Sequence, residues 1–147
     1  MSVTPNEPSG APAPSATDPF AGVDPCDLVA EETRLAFNLT DPESKQVGEA
    51  LVCRFRIEGD TLRSSYAVGI ELFATRGIDE VVAPDIVQIP DIGEHTAIQF
   101  SGANGGCAVG LGVGVGSRVD VTAVGGDYGP ACDIVSALAA AVEPAIP

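Results

Sequence analysis

Hydrophobic and polar positions change period several times along the chain, and each change marks an element. Cys53, Phe55 and Ile57 alternate with Arg54, Arg56 and Glu58, the period-two signature of a strand with one wet face. Gly59-Asp60 then turns the chain. Tyr66, Val68, Ile70 and Leu72 alternate next, so an antiparallel hairpin is the natural pairing. Thr96 to Phe100 predicts a third strand. Cys107 to Val115 predicts a fourth, with Cys107, Val109, Leu111, Val113 and Val115 on one apolar face. Its other face is nearly bare, because Ala108, Gly110, Gly112 and Gly114 fill the alternate positions. Gly116-Ser117 supplies a two-residue turn into a fifth strand through Val119, Val121 and Ala123.

The spacing becomes helical at both ends of this strand-rich stretch. In Asp24-Pro25-Cys26-Asp27, Asp24 suits a helix cap, Pro25 the first helical position and Asp27 the positive end of the dipole. Leu28, Leu35 and Leu39, with Glu31, Glu32 and Arg34 between them, predict a first amphipathic helix that ends by Pro42. Ile134, Leu138 and Val142 recur at i, i+4 and i+8 with alanine in the gaps, predicting a second helix from Gly129-Pro130 to Pro144 that carries Cys132 in its first turn. Gly77 to Ile92 reads as a short helical turn and an extended segment bounded by Pro84 and Pro90. The expected fold is α+β: an antiparallel meander sheet of about five strands, with an N-terminal and a C-terminal helix packed on one face.

Residues 1–22 depart from this pattern. Pro5, Pro8, Pro12, Pro14 and Pro19 are interleaved with Ser, Ala, Gly and Thr, a composition that buries too little surface to offset the entropy of ordering it. Residues 1–22 are therefore expected to be a tether and 23–147 a single domain. Met1 is followed at once by polar, Pro-rich sequence, so no signal peptide is visible. The longest apolar run, Ile134 to Val142, is interrupted by Ser136 and falls short of the roughly 18 residues of a membrane helix.

Charge and cysteine content narrow the function classes. Twenty-one acidic residues against seven basic ones give a net charge of −14, a surface that repels phosphate backbones and anionic head groups, so nucleic acid is a poor partner and a monomer is expected. Cys26, Cys53, Cys107 and Cys132 are even in number, form no C-x-x-C pair and lie away from the single histidine, His95. Disulfides in an oxidising compartment are favoured over a zinc site, and no metal or cofactor is expected.

Asp24-Pro25-Cys26 opening a helix, Cys53 followed by Phe55, Cys107 opening a Val-rich strand and Cys132 in a terminal Ala-rich helix together resemble a family of small actinobacterial cell-envelope lipoproteins known only by a domain of unknown function. The resemblance covers roughly residues 23–147. It implies export, lipidation of a cysteine upstream of Ser2 that this chain does not carry, a cloning start at Met1, and display outside the cytoplasmic membrane or secretion. It brings no activity with it. Four cysteines permit three connectivities, and sequence alone does not choose among them. Order along the chain suggests Cys26 with Cys53 and Cys107 with Cys132, each clamping a helix to the sheet.

No catalytic motif stands out. The alternating glycines from Gly110 to Gly116 never form a phosphate-binding loop. They read first as a strand face open to close approach by the chain itself, and second as a flat surface for an extended ligand. His95, near Asp91 and Glu94, invites a general-base reading, but a lone loop histidine is commonly just solvated. Ser101 and Ser117 lack a nucleophile context, and Glu31-Glu32 or Asp85 with Asp91 lack the spacing of a calcium loop. Arg54, Arg56, Arg63 and Arg76 gather the scarce positive charge near the first hairpin; Arg54 and Arg56 are placed to pair with Glu58 and Glu71, or to hold a small anion.

The sequence thus points to a non-catalytic binding or interaction module for a small molecule, peptide or envelope protein. Its candidate face is made of Arg54, Arg56, Gly110, Gly112, Gly114 and His95, or of the loop from Asp91 to Thr96. A hydrolase-like enzyme using His95 and neighbouring carboxylates, or an accessory subunit of an envelope complex, are the alternatives.

Overall fold

The computed structural model describes residues 18–102 and 104–147. Its framework is one antiparallel sheet of seven strands: β1 (Thr40–Val47), β2 (Ala50–Ile57), β3 (Tyr66–Phe73), β4 (Val87–Ile92), β5 (His95–Ser101), β6 (Cys107–Val113) and β7 (Ser117–Val124). The order across the sheet is β1-β2-β3-β7-β6-β5-β4. Two meanders, β1–β3 and β4–β7, therefore meet at β3 and β7, and the β3–β4 connection has to cross to the far edge of the sheet. A single meander would have put β7 at an edge. β7 is central because both of its faces are covered: Val119, Val121 and Ala123 on one side, Arg118 and Asp120 on the other, are all buried.

The two strands beyond the expected five are the edges. No residue of β1 is buried, and β4 is mostly exposed, so neither shows the alternation of a half-buried strand. Each carries a proline, Pro42 or Pro90, which is tolerated where no inward neighbour needs the missing N–H. The fourth strand is shorter than its pattern implied. It ends at Val113, Gly114-Val115-Gly116 make a three-residue connection with Gly114 at φ 61°, and Val115 is 94% exposed rather than part of the apolar face.

One long helix covers the sheet, not two. Helix α2 (Tyr128–Val142) lays Ala131, Val135, Leu138, Ala139 and Val142 on the buried residues of β6 and β7. The expected N-terminal helix is divided into a 3-10 turn (Pro25–Leu28) and a two-turn helix α1 (Glu31–Phe37). Asp24 caps the turn as expected, accepting from the Cys26 N–H at 2.9 Å. Val29 and Ala30 then adopt extended backbone, which changes the helical phase. As a result Leu28 and Leu39 reach the core while Leu35 stays 72% exposed. Arg34 holds α1 down: its guanidinium stacks on Phe55 and donates to the Cys26 carbonyl at 3.1 Å. Asn38, left-handed at φ 56°, ends the helix well before Pro42.

Phe20 is buried in the same core, so the boundary expected at residue 22 lies inside the folded region; residues 1–17 of the expected tether are outside the described residues. Disulfides join Cys26 to Cys53 and Cys107 to Cys132. The first ties the 3-10 turn to β2 and the second ties β6 to α2, both on the helix-covered side.

Candidate functional site

Among the described residues the opposite face of the sheet carries no α-helix, only a 3-10 turn at Ile78–Glu80, yet its centre is buried. Successive side chains of a strand point to alternate faces, so the residues of β3 and β7 that point away from α2 are Ala67, Gly69, Glu71 and Phe73, and Arg118, Asp120, Thr122 and Val124. Register sets Gly69 opposite Thr122, Glu71 opposite Asp120 and Phe73 opposite Arg118. Arg54 of β2 flanks Gly69, and Gly110 of β6 flanks Asp120.

The cover comes from residues 74–86, the crossover between β3 and β4. Ala74 accepts from Ser117 Oγ at 2.6 Å and Gly77 accepts from Arg118 Nη1 at 3.2 Å, which pins the start of this strap to β7. Ile78, Val81 and Ala83 then pack on Ile98, Phe100 and Ala108. Asp85 closes the far end, accepting from the Ser101 N–H at 2.9 Å and from the Ser101 hydroxyl, which holds its carboxyl below the ordinary range. The glycines of β6 make room chiefly for side chains of the neighbouring strands: a Cβ on Gly112 would lie 2.6 Å from Thr96 Oγ1, and one on Gly110 would lie 3.0 Å from Asp120 Oδ1 and 3.3 Å from Ile98 Cγ1.

Between strap and sheet lies a cavity of about 730 Å³, within the usual range for small-molecule sites. One wall is apolar, formed by Val81, Ala83, Pro84, Phe100 and Ala108; the other is polar, formed by Arg54, Gly69, Glu71, Arg118, Asp120 and Thr122. Arg76, paired with Glu49 at 2.8 Å and with Glu80 at 3.9 Å, stands at the rim.

The polar wall contains a buried ion pair. Arg118 and Asp120 are 8% and 4% exposed, and a single donor, Arg118 Nε, is shared between the two Asp120 oxygens at 3.0 and 3.1 Å. The guanidinium also stacks on Phe73, 4.0 Å from the ring centroid. One shared N–H compensates the desolvated carboxylate incompletely. Burial, reinforced by the nearby Glu71, raises Asp120 to about 7 against the opposing pull of Arg118. Burial also raises Glu71, opposed by the charges of Arg118 and Arg54. Among the described residues no donor reaches the Glu71 carboxylate within hydrogen-bond distance. The wall therefore offers a half-buried acceptor beside a buried ion pair.

The residues expected to form a face are dispersed. Arg54 lines the cavity. Arg56 shares its face of β2 but pairs with Glu58 at 3.7 Å in solvent. Gly110 and Gly112 lie on the strap side, and Gly114 belongs to the β6–β7 turn. His95 is on the helix side, where Nδ1 is 2.7 Å from the Glu143 carboxylate and Nε2 is 3.1 Å from the main-chain oxygen of Pro147. The Glu94 N–H also donates to Glu143, and these bonds hold its carboxyl below the ordinary range. The Asp91–Thr96 segment, expected as a loop, is the end of the β4–β5 hairpin with His95 in β5, and it latches the end of α2. Among the described residues no three His, Cys, Asp or Glu side chains group to hold a metal ion, and no helix is long and apolar enough to cross a membrane.

Glu71, Arg118, Asp120 and Thr122 did not stand out as a site in the sequence. The only signal was charge recurring at period two beside buried valines, Arg118-Val-Asp120-Val-Thr122, which normally denotes a solvated face. Neither the curated proteins nor the solved structures compared with the chain yield a match. A family model described as a protein of unknown function (DUF3558) matches residues 2–145, and the chain belongs to that family.

Proposed function

We propose that this chain is the extracytoplasmic domain of an actinobacterial cell-envelope lipoprotein, and that it is a non-catalytic module binding a small molecule between the strap and the open face of the sheet. The observation that carries this reading is the cavity itself: an apolar wall faces a few convergent polar groups, among them a half-buried carboxylate with no donor from the described chain. The two disulfides suit an oxidising compartment. A hydrolytic role for His95 gains no support, because both ring nitrogens are engaged by Glu143 and Pro147 and the ring does not line the cavity between strap and sheet.

Native mass spectrometry of protein purified from its own envelope tests the proposal. A co-purifying small molecule is expected with the wild type and not with Ala67→Trp, which places an indole on the cavity side of β3. Wild-type protein that carries no small molecule and binds none from a fragment library, but captures an envelope protein through another surface, would replace this reading with that of an accessory subunit.

A further inference from the structure

The polar wall holds one carboxylate that no donor of the described residues reaches. Asp120 is bonded to Arg118 Nε, and Arg118 is fixed in turn by the Gly77 carbonyl on Nη1 and by the Phe73 ring, so this pair acts as scaffold. Glu71 remains, half-buried and an acceptor in its ionised form. Beside it Gly69 carries no side chain: the position a Cβ would take there is already crowded by Thr122 Oγ1, 2.8 Å away, with Glu71 Oε2 at 3.7 Å. Two oxygens of neighbouring strands thus converge beside Gly69. A compact donor that carries positive charge satisfies both, and an ammonium, with three N–H groups around one atom, has that form.

The rest of the cavity limits what the ammonium is attached to. Val81, Ala83 and Phe100 form an apolar wall, and Arg54 among the lining residues opposes a second positive charge. We infer that the cavity recognises monocationic primary amines with an apolar body, the ammonium seated over Gly69 between Glu71 and Thr122 and the body under the strap. This assignment rests on the cavity being the binding site.

Three probes with the same six-carbon chain test it by titration against ¹⁵N-labelled protein: hexylammonium, hexanol and hexanoate. Hexylammonium is expected to shift the Gly69, Glu71 and Thr122 amides saturably and to bind about tenfold or more tighter than either other probe, in keeping with charge-assisted hydrogen bonds. Glu71→Gln should remove about tenfold of that affinity, whereas Arg56→Gln, outside the cavity, should leave it unchanged. Should Glu71→Gln fail to fold, Thr122→Val keeps the carboxylate and the side-chain volume, removes the second oxygen and should weaken hexylammonium binding in the same direction. If hexanol or hexanoate binds in the cavity at least as tightly, or if Glu71→Gln leaves hexylammonium binding intact, the ammonium assignment is overturned and the cavity reading stands. If no probe shifts these amides, both fall.

Discussion

The two faces of the sheet are buried by different means. Against α2 the face is built of Val109, Leu111, Val119, Val121 and their neighbours, packed on Val135 and Leu138 and joined by both disulfides. The other face is covered by an irregular strap and buries an arginine, an aspartate and part of a glutamate over bare glycine positions. Apolar packing is the cheaper way to stabilise a sheet, since a buried ion pair often breaks even at best against hydrophobic residues of similar size. The proposed binding role gives a reason for keeping charge on this face at that cost.

Breaking the ion pair should have the largest effect. Arg118→Ala leaves Asp120 buried without its donor and is expected to cost about 3–5 kcal/mol, read from urea unfolding. Arg118→Met combined with Asp120→Leu should recover most of that loss. If the double variant is instead as unstable as the single one, the pair is structural and the contrast between the faces weakens.

On the covered face, replacing Cys107 and Cys132 by alanine opens a link that spans 25 residues and is expected to cost about 3.5 kcal/mol on the loop-entropy model. Because the link lies on the helix side, hexylammonium affinity should survive under conditions where the variant is still folded.

Acid-base behaviour sharpens the comparison further. Asp120 is raised from 3.8 to about 7 in the folded protein, so the native state keeps a proton that the unfolded chain has already released. Its contribution to stability is fully present below 3.8 and is lost as the pH rises towards 7. Urea midpoints should therefore fall across that window in the wild type and fall less in Asp120→Asn. An identical slope in both would place the titration elsewhere.

Glu143 on the covered side behaves oppositely. Its carboxyl is lowered by the Glu94 N–H and His95, so its contribution is present above the ordinary 4.5 and disappears as the pH falls into the acid range. Glu143→Gln should give the smallest change, a slight loss of stability at neutral pH that vanishes in acid, measured by thermal melts at both extremes.

Period-two alternation located the five strands with at least one buried face, because a buried face imposes a pattern. It missed β1, whose exposed edge imposes no alternation; β4 was legible only as the extended part of the Gly77–Ile92 stretch, behind the short helical turn found at Ile78–Glu80, and Pro42 and Pro90 agree with edge positions. Helical spacing located α2 but overstated α1, since Leu28 and Leu35 are in phase only if Val29 and Ala30 continue the helix. Of the candidate face, Arg54 alone became part of the cavity wall, and His95 became a latch.

The amino-acid sequence by itself determined the local elements and the supply of paired cysteines, because periodicity, capping residues and cysteine count act over a few positions or by composition. Tertiary structure decided that β7 lies beside β3, and with it everything about the cavity. Glu71 and Asp120 are 49 positions apart in the sequence and face each other only through that pairing, and only the strap crossing above them converts what reads as a solvated face into a buried, charged one.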